Sequence, residues 1–143
     1  MTPNGGYWVY SPDSGGKKIP AVVQADVIKR INRLAQEQYK GRYIRLDIRF
    51  RAQFCYMDAF IEPYLAEDWP PPGWDETREE ALERMRNSPI HLCRLRYFGN
   101  DEWGFAFYTY SHEKYELSIF PNGEFTGKPE DAFLASAVYL DSE

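Results

Sequence analysis

The chain predicts an α+β fold, with a long N-terminal helix packed on a curved antiparallel sheet of about five or six strands, by analogy a cystatin-like or cone-shaped roll. Three observations carry that expectation. Apolar residues recur at helical spacing early in the chain, at Val23, Val27, Ile28, Ile31, Leu34 and Ala35. The period then falls to two at Ile44, Leu46, Ile48 and Phe50, alternating with Arg45, Asp47, Arg49 and Arg51. Later, aromatic runs separated by short polar joints fill the stretch from 90 to 120, the pattern of an antiparallel meander.

Each element follows from its residues. Tyr7, Trp8, Val9 and Tyr10 form a short aromatic strand candidate, closed by loop chemistry from Ser11 to Gly16. Pro20 suits the first turn of a helix, where its missing N–H costs nothing, and Lys40 and Gly41 suit its end; the helix is expected over about 20 to 39. A single strand from 43 to 62 would run about 65 Å, too long for one domain, so a hairpin is expected to turn near Arg51, Ala52 and Gln53. In its second arm both parities are apolar, as in a strand covered on two faces. Three consecutive prolines, Pro70 to Pro72, make a loop between Trp69 and Trp74. Thr77 and Glu80 then form a capping-box pair for a short charged helix to about Asn87. Strands are expected over 90 to 98, 102 to 111 and 114 to 120, and Pro129 begins a last helical segment.

A chain of 143 residues is one domain, long enough to bury roughly 70% of its unfolded surface without staples. No apolar run reaches the roughly 18 to 20 residues of a membrane span, and the first ten residues lack a basic stretch followed by an apolar one. Cys55 and Cys93 are too few for a disulfide framework. The expectation is a cytoplasmic protein with two free thiols. The net charge of −5 is segmented: residues 29–57 carry eight basic groups against two acids, and residues 58–83 nine acids against Arg78. Such blocks are read first as mutually neutralising on folding, and second as a basic face for phosphate.

Asp58 is the most informative polar residue, because it shares strand parity with Phe54, Tyr56 and Phe60. A carboxylate among aromatics is a general acid or base in a cavity, or the buried half of an ion pair with Arg45, Arg49, Arg94 or Arg96, or is returned to water by a bulge. His91 and Cys93 stand two apart on one strand and are expected to face the same way; with Cys55 and His112 they lack metal-site spacing, so no metal and no cofactor is expected. The Ser14 to Lys18 stretch departs from a phosphate-binding loop at Ser11 and Lys18 and is expected to be a mobile basic loop. Arg45, Arg49 and Arg51 share one strand face, and Arg94 and Arg96 another. Among so many rings these could stack bases and hold phosphates. The aromatics of 103 to 110 fill both parities, however, which suits a covered strand better than an open platform, and nucleic acid is not the expected partner.

Tyr7 to Tyr10 with Ser14 to Gly16, Arg49 to Arg51, Gln53 to Tyr56, Asp58 and Ala59, His91 to Gly99, and Phe105 to Ser111 with Glu113 to Glu116 resemble a set of small uncharacterised bacterial proteins. That pattern has glycine where this chain has Ala52. The resemblance implies a bacterial, cytoplasmic, single-domain protein and brings no activity with it. The functional expectation is a non-enzymatic domain that binds a small ligand, or a second copy of itself, through an aromatic-lined cavity or sheet face made by Tyr56, Asp58, His91, Tyr108 and Tyr110. The alternatives are a hydrolase or isomerase using Asp58 as acid or base, helped by His91 or His112, and single-strand nucleic-acid binding through the strand arginines.

Overall fold

The computed structural model describes residues 14–140. Within them lie helix α1 (Ala21–Gln38), strands β1 (Arg45–Arg51) and β2 (Phe54–Phe60), helix α2 (Arg78–Arg86), strands β3 (Ile90–Gly99), β4 (Glu102–Thr109) and β5 (Lys114–Ser118), and helix α3 (Pro129–Ser136), which runs into a 3₁₀ turn at Ala137–Leu140. The strands form one antiparallel sheet in chain order, β1-β2-β3-β4-β5, so the fold is α+β. The strand expected at Tyr7 to Tyr10 lies outside the described residues.

Local chemistry places the boundaries. Pro20 is the N-cap of α1, and the Thr77–Glu80 capping box forms at the start of α2, each partner accepting from the other's backbone N–H. Between β1 and β2 a two-residue loop turns at Ala52, whose φ is +53°; this is the position where glycine stands in the resembling pattern. Between β3 and β4 the loop residues Asn100 and Asp101 both have positive φ, as a tight hairpin whose twist matches its strands requires. The basic segment expected to be mobile is tied down instead. Lys17 N–H donates to Tyr97 O at 2.8 Å, Arg96 donates to Gly15 O at 2.8 Å, and Gly16 packs so closely on β3 that a Cβ there would meet Tyr97 O at 2.9 Å.

Alternation sorts the sheet into two faces. Leu46, Ile48 and Phe50 of β1, Cys55, Met57 and Ala59 of β2, Cys93, Leu95 and Tyr97 of β3, and Trp103, Phe105 and Phe107 of β4 point to the core. Val27, Ile31 and Ala35, one turn apart on α1, cover them together with Ala132 and Phe133 of α3. The long N-terminal helix packs on the sheet as expected, and α3 adds to that layer, packing beside α1 and against β3. Ile28 falls off the buried stripe and is exposed. No helix of the described residues is long and apolar enough to cross a membrane.

The aromatics of β4 divide by parity. Trp103, Phe105 and Phe107 join the core, while Tyr108 turns to the other face, where it pairs with Tyr115 of β5. Both parities of β4 are buried from Trp103 to Ala106, as expected of a covered strand, although α1 and α3 lie on one face only.

Candidate functional site

The face opposite α1 and α3 carries Arg45, Asp47, Arg49 and Arg51 of β1, Phe54, Tyr56, Asp58 and Phe60 of β2, His91, Arg94 and Arg96 of β3, Tyr108 of β4 and Tyr115 of β5. Five strands at about 4.8 Å spacing make it about 19 Å across. A depression of about 380 Å³ opens at its β1 edge, lined by Arg49, Phe50, Arg51 and Tyr56.

A register shift in the pairing of β2 with β3 builds the centre of this face. Met57 pairs with Cys93, but the next residue, Asp58, pairs with His91, so Leu92 is an extra residue in β3. Such a bulge reverses which parity points where. His91 therefore does not share a face with Cys93, as strict alternation predicted; Cys93 is in the core and His91 stands beside Asp58.

Asp58 is 2% exposed, and both of its oxygens are engaged. Arg49 Nη1 donates to Oδ2 at 2.6 Å, and His91 Nδ1 lies 3.0 Å from Oδ1. Arg49 also donates to Asp47 at 2.8 Å, and these carboxylates, Asp58 first, raise its pKa. A buried carboxylate held this way is a hydrogen-bond acceptor for His91, which fixes the imidazole's orientation and directs its Nδ1 inward. Nε2 has no hydrogen-bond partner among the described residues, and the His91 side chain is 32% exposed.

Tyrosines surround the imidazole. The Tyr108 ring lies 4.6 Å from it, Tyr110 6.5 Å away and nearly parallel, and Tyr115 6.4 Å away. The His91 backbone N–H donates to the Tyr110 hydroxyl at 2.8 Å. Burial raises the phenol pKa of both Tyr110 and Tyr115, and for Tyr115 the Asp58 charge adds to it, so both remain protonated donors at neutral pH. Tyr56 meets Tyr115 edge to face at 5.7 Å.

Arginines frame the ring cluster. The Arg94 guanidinium sits over Phe54 at 4.6 Å and over Tyr115 at 5.5 Å, and that of Arg96 also sits over Phe54, at 4.6 Å. Arg94 and Arg51 pair with no carboxylate among the described residues. Through the bulge, Arg94 is the next residue after His91 to point to this face.

Tyr56, Asp58, His91, Tyr108 and Tyr110 thus come together, and Arg49, Arg94 and Tyr115 belong with them. Sequence parity places Arg49, Arg94 and Tyr56 on outward-facing strand positions; the bulge, which joins His91 to Asp58, has no comparable signal. His112 does not join the group: it pairs with Glu116 in the β4–β5 region. Cys55 and Cys93 are buried thiols, and desolvation pushes Cys93 up to about 12. Among the described residues no three His, Cys, Asp or Glu groups cluster to hold a metal. The proline loop folds its two tryptophans edge to face at 5.7 Å, with Trp69 half-buried and Trp74 exposed, and Arg78 donates to the carbonyls of Leu65, Ala66 and Trp69. Comparison with known protein families, curated proteins and solved structures finds no match to this chain.

Proposed function

We propose that the protein is a binding domain whose sheet face opposite α1 and α3 takes a ring-bearing phosphate, a nucleotide unit either free or within a single strand. The observation that carries this reading is a pair of arginines, Arg94 and Arg51, that have no carboxylate partner among the described residues and are set among Phe54, Tyr56 and Tyr115. An arginine that neutralises no acid of its own chain leaves its donor fork for an external anion. Adjacent rings offer a base a surface on which to stack, which is worth about 1–3 kcal/mol per base where it has been dissected. The acidic net charge does not oppose this, since the carboxylates concentrate in residues 58–83 and 99–143 and the local face is basic.

Fluorescence titration tests it, using a nucleoside monophosphate, the corresponding nucleoside, ribose 5-phosphate and a short deoxyoligonucleotide. The nucleotide or the strand should bind, each more tightly than the nucleoside or the sugar phosphate. Arg94→Ala should weaken binding about tenfold or more, the loss of a charge-assisted bond. Tighter binding of the strand than of the mononucleotide, with a steep salt dependence, would identify nucleic acid as the source of the ligand. No binding by any of the four, or binding indifferent to Arg94→Ala, would overturn the reading.

A further inference from the structure

Resting on that reading, we propose that the face also cuts what it binds, with His91 as the general base that transfers an RNA phosphodiester to its own 2′-hydroxyl. The Asp58–His91 pair has the arrangement a proton-accepting histidine requires. A buried carboxylate holds Nδ1 at 3.0 Å, which directs the ring proton inward and leaves the Nε2 lone pair outward. Asp58 itself, engaged on both oxygens, acts as the positioning residue. Arg49 holds its second oxygen at 2.6 Å and so fixes the carboxylate in place.

The surroundings select the substrate. Among the described residues this face supplies no nucleophile of the Ser–His or Cys–His kind, since Cys93 and Cys55 face the core. A base without a protein nucleophile beside it serves a substrate that carries its own nucleophile, or one attacked by water. Arg94, adjacent to His91 on this face and without a carboxylate, suits an electrophile that is already anionic and gains charge in the transition state, namely a phosphodiester. RNA unites that electrophile with an internal hydroxyl. In the step, Nε2 of His91 takes the 2′-hydroxyl proton, the O2′–P bond forms and the P–O5′ bond breaks. The departing 5′-oxygen takes a proton from water, and His91 returns its own to solvent. The products are a 2′,3′-cyclic phosphate and a 5′-hydroxyl; no oxidant, reductant or further reactant is consumed. Tyr115, whose ring lies 6.4 Å from that of His91 and 5.5 Å from the Arg94 guanidinium, is placed to stack on or donate to the bound nucleotide.

The test uses a single-stranded oligonucleotide that is DNA except for one ribonucleotide, with the all-DNA strand as a binding control. Wild-type protein should cleave the chimera only after the ribonucleotide and leave a cyclic phosphate, identified by mass. His91→Ala should slow cleavage about 10²-fold or more while binding the all-DNA strand as wild type does within a few-fold. His112→Ala, a change at an exposed histidine outside the site, should cleave normally and excludes a contaminating nuclease as the source only together with the His91→Ala loss. An unaltered melting temperature for His91→Ala separates chemistry from folding, and His91→Gln provides a second variant. Binding of the all-DNA strand without cleavage of the chimera would overturn this inference and leave the binding reading intact. Absence of binding would overturn both.

Discussion

Asp58 and His91 face one another across β2 and β3 because Leu92 is an extra residue in β3. The same carboxylate is bonded to Arg49, so one buried acid holds two groups that reach the surface. That asymmetry sets the consequences of deleting either partner. Arg49→Ala strands a carboxylate that is 2% exposed and should cost about 3 kcal/mol. Asp58→Ala frees Arg49 and His91, both of which water can reach, and should cost less, about 1–2 kcal/mol. Urea unfolding of the two variants decides the order; an Asp58→Ala penalty larger than that of Arg49→Ala would contradict it.

Arg30 is the second charged hub. It donates to Asp101 at 3.0 Å, to Glu130 at 2.7 Å and to Asp26 at 2.9 Å, joining α1 to the β3–β4 loop and to α3. Its hydrogen bonds hold the Glu130 carboxyl below the usual glutamate range, against the opposing effect of burial. A carboxyl with a lowered folded pKa contributes stability above its unfolded pKa of about 4.3 and loses it as pH falls through the folded value. Stability should therefore decline below about pH 4.5, and Arg30→Ala should flatten that part of the acid limb in denaturation curves taken at several pH values. An unchanged limb would show that the Arg30 contacts do not govern it.

Ala52 occupies a left-handed conformation, φ +53°, at the first residue of a two-residue hairpin loop. A Cβ in that region is strained, so Ala52→Gly should stabilise the protein by about 1 kcal/mol, or raise Tm by about 3 °C. A lower Tm would mean that the entropy of the unfolded glycine chain outweighs the relief.

Gly127 bridges to Trp103 in both directions, and a Cβ on it would lie 2.6 Å from the Phe120 ring. Because Phe120 is itself buried against Phe105, the ring has little room to give. Gly127→Ala should cost about 1–3 kcal/mol by overpacking, measurable in the same unfolding assay. A stability equal to wild type would show that the ring yields.

Cys55 and Cys93 should resist alkylation in the folded protein, since burial raises both thiol pKa values, Cys93 to about 12. Both should react once urea unfolds the chain. Rapid labelling of either under native conditions would contradict the core placement.

Period and capping chemistry made most of this fold legible. The 3.6 period marks α1, the alternation from Ile44 marks β1, and Thr77 with Glu80 marks α2. The parity of Asp58 marks a carboxylate among rings, and Arg49 is one of the partners that parity proposes. Two features were hidden. A bulge adds one residue without a compositional signature, so alternation through Leu92 assigns His91 to the face of Cys93. Parity also cannot say which face a helix covers: Phe107 and Tyr108 read alike as aromatic, and only the packing of α1 and α3 sends one to the core and leaves the other beside His91.

The most direct test of the binding face is a map of the ligand's footprint. In a ¹⁵N-labelled sample titrated with a nucleoside monophosphate, and separately with a short deoxyoligonucleotide, amide shifts should move at Arg49, Tyr56, His91, Arg94 and Tyr115 and remain still on α1 and α3. Shifts centred on the two helices or on the proline loop, or none on the sheet at saturating ligand, would contradict it.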